Sequence, residues 1–266
     1  MIPVIYPNYY PHQTNYNKRN NVATIVTTKV GTFSSTWKGS GTLYFDPGDG
    51  GSIEPLVLTA GGVNWDHAYP LAGSKIIKIT GDLDGITYLY AISNNIVNDI
   101  DGIVSRLTNL VNLILYGNLI SGDISAVSGL TNLVNLILAD NLISGDISAV
   151  SGLINLTYLN LYGNLISGDI SAVSGLVNLN YLYLPNNSLS FTYAQFPTWD
   201  GNMYDLSSCV STSQEVGDLL RAAANGGMNN CTYRLDGTNP APPATQEVID
   251  GISTLAGNGV TLYVNT

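Results

Sequence analysis

The feature that most constrains this chain is a run of three almost identical 23-residue blocks between residues 107 and 175. The blocks read LTNLVNLILYGNLISGDISAVSG, LTNLVNLILADNLISGDISAVSG and LINLTYLNLYGNLISGDISAVSG, and a partial fourth copy begins at Leu176. A block of this length cannot bury its apolar side chains alone, so the copies must stack and share one core. The repeats therefore predict a solenoid.

Each block has the spacing L-x-x-L-x-L-x-x-N-x-I, in which Leu113 and Leu115 lie two positions apart. Alternation along a strand directs both leucines inward, and Asn118 follows where the chain turns off the strand. This spacing resembles the leucine-rich-repeat signature of a short strand, an asparagine turn and a return segment. The resemblance covers residues 83–191, because a weaker copy precedes the three full blocks.

A candidate binding face follows from the positions that alternate with the buried leucines. The first two blocks differ only where Tyr116-Gly117 becomes Ala139-Asp140, and most changes in the third block also lie in or beside the strand. The sequence thus predicts an unchanged scaffold with a varied concave surface. The residues predicted to bind a ligand there are Tyr88, Tyr90, Asn112, Tyr116, Asn135, Asp140, Tyr158, Asn160, Tyr162, Tyr181 and Tyr183. The outward positions Ile92, Ile114, Ile137 and Ala139 share this surface.

Tyrosine and asparagine dominate the predicted face, and this composition suits a glycan or a protein epitope. Tyrosine offers a large rigid contact with one polar tip, and asparagine both donates and accepts hydrogen bonds. The alternative is that tyrosine is frequent here only because it favours strands. Ligand binding is the preferred interpretation, since an open row of tyrosines is otherwise a costly apolar patch.

An aspartate recurs in the return segment of each repeat, at Asp99, Asp123, Asp146 and Asp169. An aspartate after glycine is well suited to cap the short turn that follows it. The competing interpretation is a calcium site, but one carboxylate per repeat does not supply several converging oxygen ligands. The sequence therefore predicts caps, with no metal and no cofactor.

Residues 21–82 are predicted to form a small β-sandwich, because short β-prone runs alternate with Gly, Pro and Asp turns. The segments Phe45-Asp46-Pro47-Gly48-Asp49-Gly50 and His67-Ala68-Tyr69 resemble the motifs of PKD-type domains. That resemblance implies a spacer or adhesion module. Asp49 is then a hairpin residue and His67 a packed turn residue.

Residues 192–266 are predicted to form an α/β cap over the last repeat. Strand-like segments at Tyr204, Tyr233 and Leu262 recur every 29 residues, and helices starting near Ser213 and Thr245 lie between them. Cys209 and Cys231 either pair across adjacent cap strands or remain free buried thiols. The run from Leu235 to Pro243 resembles the ends of repeat proteins of bacteriophages and bacterial surfaces.

Residues 1–20 contain three prolines, four tyrosines and no acidic residue, which predicts an extended docking arm. The arm lacks the basic start, apolar run and cleavage site of a signal peptide. Its predicted docking residues are Tyr6, Tyr9, Tyr10, Tyr16, Lys18 and Arg19.

Charge, the length of the apolar runs and the absence of known motifs disfavour several classes of function. The chain has a net charge of −10, which disfavours nucleic acid as a partner. Asparagine or glycine interrupts every apolar run well before a membrane span is reached. No catalytic motif is visible, so no enzyme is predicted. No heptad pattern defines a homo-oligomer, which leaves self-association open.

Together these features predict an α/β and β fold, in which a β-sandwich precedes a leucine-rich-repeat solenoid with a parallel sheet and an α/β cap closes it. The resemblances imply a bacteriophage virion structural protein that docks to other virion proteins through its arm and binds a host-surface glycan or protein. One alternative is an extracellular or bacterial cell-surface adhesin. The other is a purely architectural decoration of the capsid or tail.

Overall fold

A computed structural model describes residues 22–191, 202–209, 213–225, 227–228, 231–236, 241–243 and 245–265. The predicted arm and its six docking residues lie outside the described residues.

The first six strands occupy the segment before the repeats. They are β1 (Ala23–Thr27), β2 (Gly31–Gly39), β3 (Thr42–Asp46), β4 (Glu54–Val57), β5 (Val63–Tyr69) and β6 (Lys75–Gly81). Four of them form an antiparallel sheet in the order β1-β6-β3-β4, while β2 and β5 pair with each other in a second sheet. Alternate residues of β1, β2 and β3 are buried, as expected for strands with one face on a core.

Aromatic side chains fill the core of this segment. Phe45 stacks on Trp65 with ring centroids 4.7 Å apart, and Trp37 meets Phe45 edge-on at 5.5 Å. The hydroxyl of Tyr69 donates to the carbonyl oxygen of Pro47 at 2.8 Å. These contacts join the two segments that resemble a PKD-type motif.

The prediction that His67 is a turn residue is wrong, because His67 lies within β5. Its Nε2 atom is 2.8 Å from Oδ2 of Asp49, and its ring stacks on Trp65. The hydrogen bond with His67 lowers the pKa of Asp49, helped by the N–H of Gly51. The strand thus places the imidazole beside the β3–β4 loop, and the hydrogen bond between His67 and Asp49 connects that loop to β5.

The repeats contribute parallel strands on two sides of one core. The elements in chain order are β7 (Ile86–Tyr90), α1 (Ile100–Val104), β8 (Asn112–Ile114), β9 (Asn135–Ile137), β10 (Ser144–Asp146), β11 (Tyr158–Asn160), β12 (Leu165–Asp169), β13 (Tyr181–Tyr183) and β14 (Ser188–Ser190). Single 3₁₀ turns lie at Leu83–Gly85, Ile124–Val127, Ile147–Val150 and Ile170–Gly175. Strands β7, β8, β9, β11 and β13 pair in one parallel sheet, and β10, β12 and β14 pair in another.

Leucine and isoleucine columns fill the space between the two parallel sheets. Leu113 and Leu115, predicted to point inward, are fully buried, and so are their equivalents Leu136 and Leu138 in the next block. Each repeat buries these side chains against the preceding and following repeats. The prediction that the strand leucines of the repeats point into the core is therefore confirmed.

The asparagines predicted to be structural form a buried hydrogen-bond ladder. The side chain of Asn118 accepts from the N–H of Ile96 at 3.2 Å, and it donates to the carbonyls of Ala91 and Leu115. Asn141, Asn164 and Asn187 repeat these contacts one block further on. Each asparagine therefore joins two neighbouring repeats through backbone groups that would otherwise be unpaired.

The aspartate ladder caps the return turns, as predicted. Oδ1 of Asp123 accepts from the N–H of Ser125 at 2.7 Å, and Asp146 and Asp169 make the same contact at 2.8 Å. The hydrogen bond from the Ser125 backbone also lowers the pKa of Asp123. Across the described part of the chain, no group of three or more His, Cys, Asp or Glu side chains is placed to hold a metal ion.

The first segment is joined to the repeats by backbone pairing. Strand β2 runs antiparallel to β7, with Thr36 opposite Tyr90 and Lys38 opposite Tyr88. The Asn94 side chain accepts from the N–H of Ser34 and donates to the carbonyl of the same residue. One sheet therefore continues from β5 and β2 directly into the repeat strands.

The same sheet extends at its other end through three further strands. The elements are β15 (Met203–Asp205), α2 (Ser213–Asn225), β16 (Thr232–Leu235), α3 (Gln246–Gly257) and β17 (Thr261–Val264). The sheet has ten strands in the order β17-β16-β15-β13-β11-β9-β8-β7-β2-β5. Thr245 caps α3 with its side chain, as the sequence predicted. Among the described helices, none is long and apolar enough to span a membrane.

Cys209 and Cys231 are buried thiols that do not form a disulfide with each other in this structure, which is the second of the two predicted alternatives. Burial raises the pKa of the Cys209 thiol far above its ordinary value, and the nearby Asp205 carboxylate adds to the effect. The thiol donates to the carbonyl of Leu184 at 3.0 Å. Both cysteines therefore act as packing residues beside β15 and β16.

Tyr233 is the basis of a stability prediction. Its hydroxyl is the one buried side-chain polar atom without a hydrogen-bond partner in the described residues, and burial raises its pKa well above the ordinary value. We expect Tyr233→Phe to raise the free energy of unfolding by about 1 kcal/mol, because it removes an unsatisfied buried group. Equilibrium denaturation in urea measures the change.

The matched control is Tyr204, which lies directly opposite Tyr233 on the neighbouring strand. Its hydroxyl is buried as well but donates to the carbonyl of Leu179 at 2.9 Å. Tyr204→Phe is expected to lower the free energy of unfolding by about 1 kcal/mol. A loss of stability in both variants would contradict the account of Tyr233.

Candidate ligand-binding face

The predicted binding residues lie on the solvent side of the ten-stranded sheet. Along each repeat strand the central leucine is buried, while the residues on either side of it are half-buried and point outward. We call this surface the tyrosine face. Its strand positions are Tyr88, Tyr90, Asn112, Asn135, Tyr158, Asn160, Tyr181 and Tyr183, and Tyr116, Asp140 and Tyr162 lie just beyond the strands.

Three tyrosines meet in a cluster on β11 and β13. The Tyr158 ring lies 5.2 Å from Tyr181 and 5.7 Å from Tyr183, measured between centroids. Tyr181 and Tyr183 stack at 6.4 Å, and the Tyr183 hydroxyl lies 3.3 Å from the sulfur of Met203. Parallel pairing in register produces this cluster, because it sets Tyr158 opposite Tyr181.

A second aromatic pair lies on β7, at the end of the repeats where β2 joins the sheet. Tyr88 and Tyr90 are stacked, with ring centroids 6.5 Å apart. The Lys38 ammonium from β2 lies over the Tyr88 ring, 4.6 Å from its centroid. Such a contact holds a cation by the electron density of the ring face.

Amide and aliphatic side chains separate the two aromatic groups. Asn112 and Asn135 lie opposite each other on β8 and β9, and the amide of Asn135 donates to Oδ1 of Asn112. Ile114 and Ile137 form the neighbouring row. The face can therefore offer two aromatic platforms with hydrogen-bonding amides between them.

The residues beyond the strands form a further column along the same face. Backbone hydrogen bonds stack their turns, since the N–H of Gly117 donates to Ala139 and the N–H of Asp140 donates to Tyr162. Tyr116 and Tyr162 are well exposed. Ala139, expected at an exposed position, is only 4% accessible.

The repeat region is similar to known sequences. The family model described as Leucine Rich repeats matches two copies over residues 131–174. These residues are leucine-rich repeats. No curated protein sequence matches the chain.

Several solved structures are similar to this chain. The repeat ectodomain of the receptor kinase SOBIR1 from Arabidopsis thaliana is 24% identical, with a TM-score of 0.36 over 50% of this chain and 67% of that one. Internalin C2 from Listeria monocytogenes is 23% identical, with a TM-score of 0.41 over 69% of this chain and 85% of that one. The plant peptide hormone receptor RGFR1 in complex with RGF2 is 24% identical, with a TM-score of 0.46 over 66% of this chain and 32% of that one.

Several residues of the face were not predicted from the sequence. They lie outside the leucine-rich repeats, on strands that extend the same sheet: Asn64, Thr36, Lys38, Met203, Asp205, Arg234 and Tyr263. The Arg234 guanidinium donates to both carboxylate oxygens of Asp236 and lies 5.3 Å from the centroid of the Tyr263 ring. Charged groups therefore lie at both ends of the face, flanking the leucine-rich repeats.

Three phenols of the aromatic groups have a raised pKa. Burial raises the pKa of Tyr88, Tyr158 and Tyr183. Neighbouring tyrosines add to the shift for Tyr88 and Tyr183, whereas a hydrogen bond with Tyr183 opposes it for Tyr158. A neutral phenol can both donate and accept a hydrogen bond. The face can therefore engage hydroxyl and amide groups of a ligand at neutral pH.

Proposed function

We propose that this chain is a non-enzymatic binding protein that holds its ligand on the tyrosine face. The observation that supports this most strongly is the continuous open sheet, on which two aromatic groups flank a row of amides. The tyrosine side chains are already half-buried and stacked against each other, so binding costs them little further conformational entropy.

The chemistry of the face favours an elongated ligand whose contacts with the two strand rows are uncharged. No charged side chain lies between Lys38 and Asp205 in the two outward rows of the strands. The Tyr88 and Tyr158 rows are three strand steps apart, or roughly 14 Å at about 4.8 Å per step. A host-surface glycan of a few sugar units, or an extended protein segment, has the length to touch both aromatic groups.

The proposed setting is the bacteriophage virion. The composition of residues 1–20 supports docking to other virion proteins, since this segment is rich in tyrosine and proline and contains no acidic residue. In the alternative setting the same face serves an extracellular or bacterial cell-surface adhesin. In the architectural alternative the face does not contact a host.

One experiment separates these settings. Intact bacteriophage particles are analysed for this chain by peptide mass spectrometry. Particles assembled with a variant that lacks residues 1–20 are analysed in parallel. We expect the full chain in the particles and the variant to be missing from them. Absence of the full chain would refute the virion setting and favour the adhesin.

A second experiment tests the binding function itself. The purified chain is screened on a glycan array and against isolated host envelopes, and every hit is measured again with Tyr158→Ala/Tyr181→Ala. We expect saturable binding that the double variant loses. Unchanged binding by the variant would refute the tyrosine face as the site.

A further inference from the structure

One position on the tyrosine face departs from the repeat pattern in a chemically specific way. The first two full blocks differ at two residues only, where Tyr116 and Gly117 become Ala139 and Asp140. The third block returns to tyrosine and glycine at the same positions. The change therefore removes one ring from a column of three and adds one carboxylate beside the gap. We call Tyr116, Ala139, Asp140 and Tyr162 the tyrosine slot.

The gap is the right size for one small group. The turns of successive blocks are stacked by hydrogen bonds of 2.9 and 2.8 Å, so Tyr116 and Tyr162 lie two strand steps apart, or roughly 9.6 Å. Ala139 forms the floor, and the tyrosines are 42% and 38% exposed. Among the described residues, no ring contact joins Tyr116 to Tyr162, so the rings do not close the gap against each other.

Asp140 occupies this position at a conformational disadvantage. Its φ of 52° lies in the left-handed region, where the neighbouring blocks have Gly117 and Gly163. The carboxylate leans over Gly163, with Oδ1 only 2.7 Å from the place where a Cβ on that residue would lie. Asp140 is exposed, and no hydrogen bond or ion pair to its carboxylate is present within the described residues. The same left-handed backbone occurs at Ser93 and Asn186, the equivalent positions of the first and last repeats, so the carboxylate and not the backbone distinguishes Asp140.

Two tyrosine faces and a carboxylate are the groups that attract an organic cation. A cation midway between the two rows lies roughly 4.8 Å from each, within the about 6 Å over which a ring face attracts a positive charge. At the two ends of the sheet the chain supplies its own cations, since Lys38 covers Tyr88 and Arg234 covers Tyr263. Between Leu107 and Asn187 the sequence contains no Lys or Arg to fill the slot.

We propose that the tyrosine slot binds an alkylammonium group of the ligand, with the two rings on its sides and the Asp140 carboxylate as its counter-ion. The inference rests on the proposed function, because it assigns one chemical group of the ligand to one place on the same face. A quaternary ammonium head group and a lysine-type primary amine share this chemistry.

The test uses choline, methylammonium and 3,3-dimethylbutan-1-ol, which has the shape of choline but no charge. Binding to the full chain is followed by the NMR signals of ¹³C-labelled tyrosine rings. We expect millimolar binding of a cation that shifts the Tyr116 and Tyr162 signals, and no binding of the neutral alcohol. Tighter binding of choline would indicate that the ligand carries a quaternary ammonium head group. Tighter binding of methylammonium would indicate a lysine-type primary amine. Either result supports the proposed site.

Two variants locate the site. Asp140→Asn keeps the shape and suits the left-handed backbone, and it is expected to weaken cation binding about tenfold through loss of the charge. Ala139→Tyr restores the residue of the neighbouring blocks and should abolish binding by filling the slot. The control is Asp66→Asn, which removes an exposed charge on β5 and should leave the affinity unchanged.

The slot is refuted if neither cation binds, or if Asp140→Asn and Asp66→Asn have equal effects. Its failure is separable from that of the proposed function. If the parent chain binds the cation but Tyr158→Ala/Tyr181→Ala does not reduce ligand binding, the proposed function is refuted and the cation site stands. If the double variant loses ligand binding but the parent chain binds no cation, the cation site is refuted and the proposed function stands.

Discussion

Replacing Asn141 with alanine is expected to lower the free energy of unfolding by about 3 kcal/mol. The Asn141 side chain is buried and accepts from the N–H of Ile120 at 3.0 Å. It also donates to the carbonyls of Leu115 and Leu138 at 3.1 and 2.9 Å. Alanine would leave these backbone groups without partners inside the core, where water cannot replace the lost bonds. Urea denaturation followed by circular dichroism measures the loss.

The matched control for this prediction is Asn132→Ala in the same block. Asn132 is exposed, and none of the hydrogen bonds described for the chain involves its side chain. Its replacement should change the free energy of unfolding by less than about 0.5 kcal/mol. Equal losses in the two variants would show that the asparagine ladder does not hold the repeats together.

The second large effect is expected in binding. Tyr158→Ala should weaken ligand binding about 30-fold or more, as is typical for a tyrosine at the centre of an interface. The Tyr158 ring contacts both Tyr181 and Tyr183, so its removal also frees its two neighbours. Surface plasmon resonance against the ligand found by screening measures the change in affinity.

Tyr44 provides the control for this second prediction. It is an exposed tyrosine on β3, in the four-stranded sheet that does not belong to the tyrosine face. Tyr44→Ala should leave the affinity within about twofold of the parent chain. If both variants lost affinity equally, the ligand would bind elsewhere or the effect would be one on folding.

The sequence predicts the interior of the repeats well because the pattern is periodic. A period of 23 residues places each inward leucine, each turn asparagine and each capping aspartate at the same position in every block. A structural role inferred for one block therefore applies to the equivalent residues of the others. The buried Leu136, the bridging Asn141 and the capping Asp146 follow directly from it.

The ends of the tyrosine face could not be predicted in the same way. Lys38 reaches Tyr88 only because β2 pairs antiparallel with β7, across a separation of 50 residues that no repeat encodes. Register in such a pair is set by packing of the whole segment, as with Trp37 opposite Leu89. The position of His67 in a strand likewise depends on pairing with β2, where Phe33 lies opposite it.

The most direct test of the account is to observe which tyrosines a bound ligand touches. Of the 17 tyrosines, the face carries Tyr88, Tyr90, Tyr116, Tyr158, Tyr162, Tyr181, Tyr183 and Tyr263, and ¹³C labelling of the rings makes each one visible by NMR. Titration with the ligand found by screening should shift signals of the face, led by Tyr158, Tyr181 and Tyr183, and leave Tyr44 and the buried Tyr69 unchanged. Shifts confined to tyrosines outside the face would contradict the claim that this chain binds through its ten-stranded sheet.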